Sequence, residues 1–203
     1  IIDYLEENGI RDQVEVCGLC CTAHDITRYE KKRAKIIGPI SWQLRFIRMG
    51  IPDVIVIDEQ CIRTDVIEEA KKINAVVIAA SDKACHALPD KTMEDADKIV
   101  DELINGIIPG ALILNEERMA EVAVKTALKL FLVRRSKIAG LMSENELIEY
   151  AKKCTGCREC ERSCPQSLPI STAMAKTAKG DVKALASLYN RCFACSRCEK
   201  ACP

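Results

Sequence analysis

Of the 13 cysteines in this chain, eight form two matching runs: Cys154-x-x-Cys157-x-x-Cys160-x-x-x-Cys164-Pro165 and Cys192-x-x-Cys195-x-x-Cys198-x-x-x-Cys202-Pro203. Thiolates at this spacing hold cubane iron–sulfur clusters, which carry one electron at a time. Zinc sites are the main competing chemistry, but they pair two separated CxxC knuckles and do not pack a third and fourth cysteine directly behind. A secreted disulfide framework fits less well still. The chain is long, is 48% hydrophobic and so has the residues for an ordinary core, and no stretch reads as a signal peptide or an apolar span of membrane length. Reduced thiols in the cytoplasm of an anaerobic cell suit the composition best.

The runs resemble those of the two-cluster bacterial ferredoxins, in which the fourth cysteine of each run ligates the other run's cluster. The resemblance implies one [4Fe-4S] cluster on Cys154, Cys157, Cys160 and Cys202, and a second on Cys192, Cys195, Cys198 and Cys164. Crossed ligation makes the two sites one folding unit and a short electron wire. A wire implies an electron source elsewhere in the protein.

The elements that would position such a source lie upstream. Short aliphatic runs, Val14–Val16, Val54–Ile57, Val76–Ala80 and Ala111–Leu114, alternate with amphipathic stretches at about 22–35, 40–49, 64–73, 92–106 and 117–136. Runs of that length bounded by Pro, Asp or Gly read as buried parallel strands. In the fourth stretch Ala96, Ile99, Val100, Leu103 and Ile104 share one helical face, with Thr92 as the expected N-cap. The alternation predicts an α/β fold: a doubly wound, Rossmann-like parallel-sheet domain over 1–138, followed by a small two-cluster ferredoxin-like domain over 143–203. Ser143 and Glu146 have the capping-box spacing for a helix running toward Cys154. Ile170–Lys176 and Val182–Tyr189 read as two short helices broken at Gly180, with Leu185, Leu188 and Tyr189 as an expected docking face.

Open α/β sheets bind ligands at the carboxyl ends of their strands. Two such ends here carry cysteine: the first strand runs into Cys17-Gly18-Leu19-Cys20-Cys21-Thr22-Ala23-His24-Asp25, and the Val54–Ile57 strand into Asp58-Glu59-Gln60-Cys61. No GxGxxG follows either strand, so the dinucleotide fingerprint is absent. A crevice rich in thiolate points to a metal.

The segment Gly18-Leu19-Cys20-Cys21-Thr22-Ala23, followed by Asp58-Glu59-Gln60-Cys61-Ile62, resembles the nickel-dependent carbon monoxide dehydrogenases. Together with the double cysteine run it is similar to their archaeal form, the alpha subunits of acetyl-CoA decarbonylase/synthase complexes. The resemblance implies that Cys21 and Cys61 are metal ligands, a partial set for a Ni-4Fe-4S active-site cluster. Adjacent side chains diverge from an extended or turning backbone, so one thiol of the doublet is expected to reach the metal, with Cys21 preferred over Cys20 and Cys20 expected nearby. It implies reversible oxidation of carbon monoxide with water to carbon dioxide, two protons and two electrons. The electrons would pass through the two [4Fe-4S] clusters to ferredoxin. It also implies a homodimer core, association with other subunits of the complex, and a chain that is an internal fragment of a longer polypeptide, inactive alone. Two other classes compete: a non-catalytic iron–sulfur electron-transfer subunit, and a redox sensor whose Cys20–Cys21 doublet forms a disulfide.

The remaining residues read as structural. His24 follows the doublet at a helix start, and His86 lies in a loop beside Cys85 without a third partner. Cys17 and Cys85 read as small buried hydrophobes, and Trp42 as core. Lys plus Arg and Asp plus Glu each number 30, giving zero net charge. No nucleic-acid partner or anionic membrane is indicated. The basic stretch Arg28, Lys31, Lys32, Arg33 and Lys35 is expected on a solvated helix face.

Overall fold

A computed structural model of the chain describes residues 1–30, 35–58, 62–134 and 142–203. It divides into two compact units, Ile1–Gly140 and Leu141–Pro203. The first runs α1 (Ile2–Glu7), β1 (Cys17–Leu19), α2 (Cys20–Tyr29), β2 (Lys35–Gly38), α3 (Gln43–Arg48), β3 (Val54–Ile57), α4 (Val66–Lys72), β4 (Val76–Ala79), α5 (Ala96–Ile104), β5 (Gly110–Leu112) and α6 (Glu116–Arg134). It is a mixed α/β unit whose strands pair in parallel, in two sheets, β1–β2 and β3–β4–β5.

The β-branched run at the centre of the larger sheet became a strand because both of its faces are covered. Central β4 is buried along its whole length, and Val77 and Ile78 have no exposed surface. On one side of the sheet the expected face of α5 packs with Val122, Ala123 and Leu130 of α6. Full burial of a Val or Ile side chain contributes about 1.5–3 kcal/mol, more than the ~1 kcal/mol net of a single hydrogen bond. The sheet and its helices therefore carry the stability, and polar contacts at the strand ends serve to fix position.

Three local expectations are corrected. The first strand lies at Cys17–Leu19, three residues beyond Val14–Val16. A Cβ on Gly18 would stand 2.5 Å from Ala23 Cα, so only glycine lets α2 pack this closely on β1. The expected helix at 22–35 ends at Tyr29; Glu30 is extended, and the Ile36–Ile37 pair builds β2 beside β1. The N-cap of α5 is Asp95, whose carboxylate accepts from the Asp97 and Lys98 N–H groups at 3.0 and 3.2 Å. Thr92 instead holds the loop: its hydroxyl accepts from the Leu114 N–H and its carbonyl from Arg118.

Of the basic stretch, Lys31, Lys32 and Arg33 lie outside the described residues, Arg28 pairs with Asp25 on an exposed face of α2, and Lys35 pairs with Glu15. Trp42 is half-buried against Gly38, with the Arg45 guanidinium 4.3 Å above its ring.

The second unit comprises α7 (Glu144–Lys152), α8 (Glu159–Ser163), α9 (Ile170–Thr177), α10 (Lys183–Ala186) and α11 (Arg197–Lys200). Its described residues form helices and turns only. The expected capping box opens α7: the Ser143 hydroxyl accepts from the Glu146 N–H, and the Glu146 carboxylate accepts from the Ser143 N–H. Gly180, at φ +96°, breaks the chain between α9 and α10.

Candidate metal centres

In the first unit β1 delivers the cysteine doublet directly to the start of α2. Cys20 has φ +56°, in the left-handed region, and the Cys20 and Cys21 sulfurs lie 3.8 Å apart. The expectation that adjacent side chains diverge is thus overturned at this site, because the left-handed turn folds both thiols to one side. Cys21 is exposed and Cys20 half-buried. The next residue, Thr22, donates its hydroxyl to the Asp58 carboxylate at 2.5 Å. Asp58 directly follows β3 and stands three residues before Cys61. Cys61 itself lies outside the described residues, but the chain that leads to it is tied to the doublet at Asp58. Two strand ends from different sheets therefore meet at the Thr22–Asp58 bond.

Cys17 stands on β1 and is exposed, which corrects its reading as a buried hydrophobe; Cys85 is half-buried in a turn where His86 and Ala87 have φ +47° and +58°. His24 lies in α2, exposed, its carbonyl accepting from Thr27.

In the second unit the two cysteine runs have the same backbone. The residue before each second cysteine is left-handed, Gly156 at φ +73° and Ala194 at +50°, and so is the residue after it, Arg158 at +65° and Ser196 at +62°. Each run then enters a short helix carrying its third cysteine, Cys160 in α8 and Cys198 in α11. Turns of this kind point successive N–H groups into a concavity suited to anions, a feature of many iron–sulfur sites. The Ala194 N–H already donates to the Cys192 sulfur at 3.3 Å. Burial pushes the Cys198 thiol up, and the nearby Cys192 and Cys195 sulfurs add to this; burial does the same at Cys160, with Cys154 contributing. Such thiols must lose their protons when a metal binds.

Two contacts bring the end of the first run to the second. The Ser163 hydroxyl points at the Arg197 carbonyl, 3.4 Å away, and α8 packs on α11. The Arg191 guanidinium reaches the Gln166 carbonyl at 3.3 Å. Ser163 precedes Cys164 and Arg197 precedes Cys198, so the backbone next to Cys164 contacts the helix that carries Cys198. Glu161 supports this from behind, accepting from the Ser171 and Thr172 N–H groups of α9 and from Arg158.

Among the described residues, no three His, Cys, Asp or Glu side chains converge on the position of a single ion. A cubane's thiolates bind separate iron corners, so ligands of a cluster need not converge in that way. All twelve described cysteines are free thiols. The donor set, the repeated turns and the half-buried thiols of Cys160 and Cys198 fit iron–sulfur clusters in the second unit. In the first, the paired sulfurs and the Thr22–Asp58 bond fit a shared metal centre. The two runs and the strand-end cysteines were legible from sequence. Thr22 and Asp58 were missed as partners, and their only signal was that each adjoins a cysteine segment.

The described residues contain no helix long and apolar enough to cross a membrane. A family model described as Prismane/CO dehydrogenase matches residues 1–186. The chain is 57% identical over 188 residues to the acetyl-CoA decarbonylase/synthase complex subunit alpha of Methanothermobacter thermautotrophicus, covering 93% of this chain and 24% of that protein. It is 47% identical over 190 residues to subunit alpha 1 of the same complex from Methanopyrus kandleri, covering 94% and 25%. It is 46% identical over 183 residues to the subunit alpha of Methanocaldococcus jannaschii, covering 90% and 23%. The chain thus spans about a quarter of the length of the curated relatives it matches.

Proposed function

The chain belongs to the Prismane/CO dehydrogenase family, and on that premise we propose that it is part of the alpha subunit of an acetyl-CoA decarbonylase/synthase complex, serving a nickel-dependent carbon monoxide dehydrogenase. In this reading residues 1–138 are the doubly wound domain that supplies Cys21 and Cys61 to a Ni-4Fe-4S active-site cluster. Residues 143–203 are the ferredoxin-like domain holding two [4Fe-4S] clusters. The observation that carries the reading is the Thr22–Asp58 bond at 2.5 Å, which joins the two cysteine-bearing strand ends in a chain of this family.

When bound, soft sulfur-ligated nickel and iron supply the chemistry for oxidising carbon monoxide with water to carbon dioxide. The chain's own residues do the rest. Cys21 and Cys61 hold the centre as thiolates. Thr22 and Asp58 keep their segments in register, and the left-handed turn at Cys20 aims its sulfur to the same side as Cys21. The eight cysteines of the second unit would hold two [4Fe-4S] clusters, whose one-electron chemistry would suit a ferredoxin as acceptor. Other subunits of the complex and a second copy of the alpha subunit are the proposed partners.

The test is made on the complete alpha subunit, purified without oxygen. Nickel should be present, and carbon monoxide oxidation with a viologen acceptor should fall to background in Cys61→Ala. Full activity in that variant would overturn the reading. A non-catalytic electron-transfer subunit would instead hold cubane iron without nickel, and would be indifferent to loss of Cys21 or Cys61.

A further inference from the structure

Ser196 lies between the second and third cysteines of the second run. Only 5% of it is exposed, and its hydroxyl is buried with no hydrogen-bond partner. A buried hydroxyl without an acceptor is unfavourable, and such a group implies a partner that belongs at the site. Ser196 also has φ +62°, a left-handed conformation that glycine adopts more readily. The strained position therefore holds a hydroxyl where glycine would be easier to place. Ser196 directly follows Cys195 and stands two residues before Cys198, whose thiol has those of Cys192 and Cys195 nearby, so the acceptors a loaded site would offer are thiolate or inorganic sulfide.

The matching residue of the first run makes the contrast. Arg158 has the same backbone, φ +65°, but its side chain is exposed and pairs with Glu161 at 3.0 Å. The runs are alike in fold and differ in what their left-handed residue offers a cluster.

We propose that the Ser196 hydroxyl donates a hydrogen bond to a sulfur of the cluster held by the second run, and so raises that cluster's reduction potential above that of its neighbour. Reduction adds negative charge to the cluster, and a donor aimed at its sulfurs stabilises the reduced form more than the oxidised one. The two clusters would then be unequal, with the electron resting preferentially on the second. This rests on the reading of the second run as a cluster site, and the test separates the two.

The whole chain is loaded anaerobically with iron and sulfide, and its clusters are titrated against potential by electron paramagnetic resonance. Ser196→Ala removes the hydroxyl; Ser196→Gly removes it while relieving the backbone. Both variants should keep the iron content of two clusters. Both should lower one midpoint potential by about 59 mV, a tenfold shift in a one-electron equilibrium, and leave the other in place. Two assembled clusters with unchanged potentials in either Ser196 variant would overturn the proposal. Iron for one cluster only in the unsubstituted chain would overturn the ligand reading, and the proposal with it.

Discussion

Thr22 donates its hydroxyl to Asp58 across 2.5 Å, and so joins the residue after Cys21 to the strand end that leads into Cys61. Neither side chain is a metal ligand in the proposed scheme. Their bond sets where two ligand-bearing segments stand, and groups that orient ligands commonly matter about 10–100-fold in metal affinity or activity.

Thr22→Val should therefore lower nickel affinity of the complete subunit by about 10–100-fold, measured by equilibrium dialysis, while Thr22→Ser keeps the donor and retains affinity. Equal affinity in the valine variant would show that the bond plays no part in holding the centre.

Crossed ligation gives a pattern of shared phenotypes. Ser163 meets Arg197, and the proposed scheme assigns Cys164 to the cluster of Cys192, Cys195 and Cys198. Cys164→Ala and Cys198→Ala should disturb the same paramagnetic signal, and Cys202→Ala should match Cys154→Ala. If Cys164→Ala instead reproduced the Cys154→Ala spectrum, each run would hold its own cluster.

Arg134, 3% exposed, ends α6 by donating to the carbonyls of Ile73, Pro52 and Gly50 at 3.1, 2.6 and 2.9 Å and pairing with Asp53. These acceptors flank β3 and β4, so one side chain stitches the helix to the loops that set the sheet. Arg134→Ala should destabilise the first unit by about 2–5 kcal/mol, the cost of leaving the carbonyls of Ile73, Pro52 and Gly50 without their donor, at about 1–3 kcal/mol for each one left buried, and of losing the pair with half-buried Asp53. Urea unfolding followed by circular dichroism checks this, and a loss under 1 kcal/mol, the range of an exposed pair, would contradict it.

The Arg48 guanidinium, 2.7 Å from Glu69, and then Lys72 hold the Glu69 carboxyl below its ordinary value of 4.5. A depressed folded-state value means the stabilisation is complete above pH 4.5 and is lost as pH falls through the lower, folded-state value. Acid titration should show that loss of stability, and Glu69→Gln should flatten the curve in that acid window. An identical acid curve in the variant would contradict the assignment.

How far the sequence alone reached is clear at particular residues. Periodicity found the buried face of α5 from Ala96 to Ile104, since apolar spacing reports burial directly. The Ser143–Glu146 cap was legible for the same reason: its partners are three residues apart and need no tertiary context. Strand β2 was not, because its pairing to β1 depends on close packing at Gly18 that no local signal encodes. Thr92 looked like a cap yet bonds to Leu114 and Arg118, far along the chain. The convergence of the Cys20 and Cys21 sulfurs required a left-handed φ at a residue that rarely adopts one. The repeated cysteine spacing announced its chemistry, whereas the buried hydroxyl of Ser196 emerged only with the fold.

The most direct test of the central claim is to expose the complete alpha subunit to carbon monoxide and follow the two ferredoxin-type clusters by rapid-freeze electron paramagnetic resonance, in the unsubstituted protein and in Cys61→Ala. Carbon monoxide should reduce both clusters in the former and neither in the latter, with dithionite reducing both in each. Reduction by carbon monoxide at the same rate in Cys61→Ala would show that the strand-end cysteines are not the source that feeds this relay.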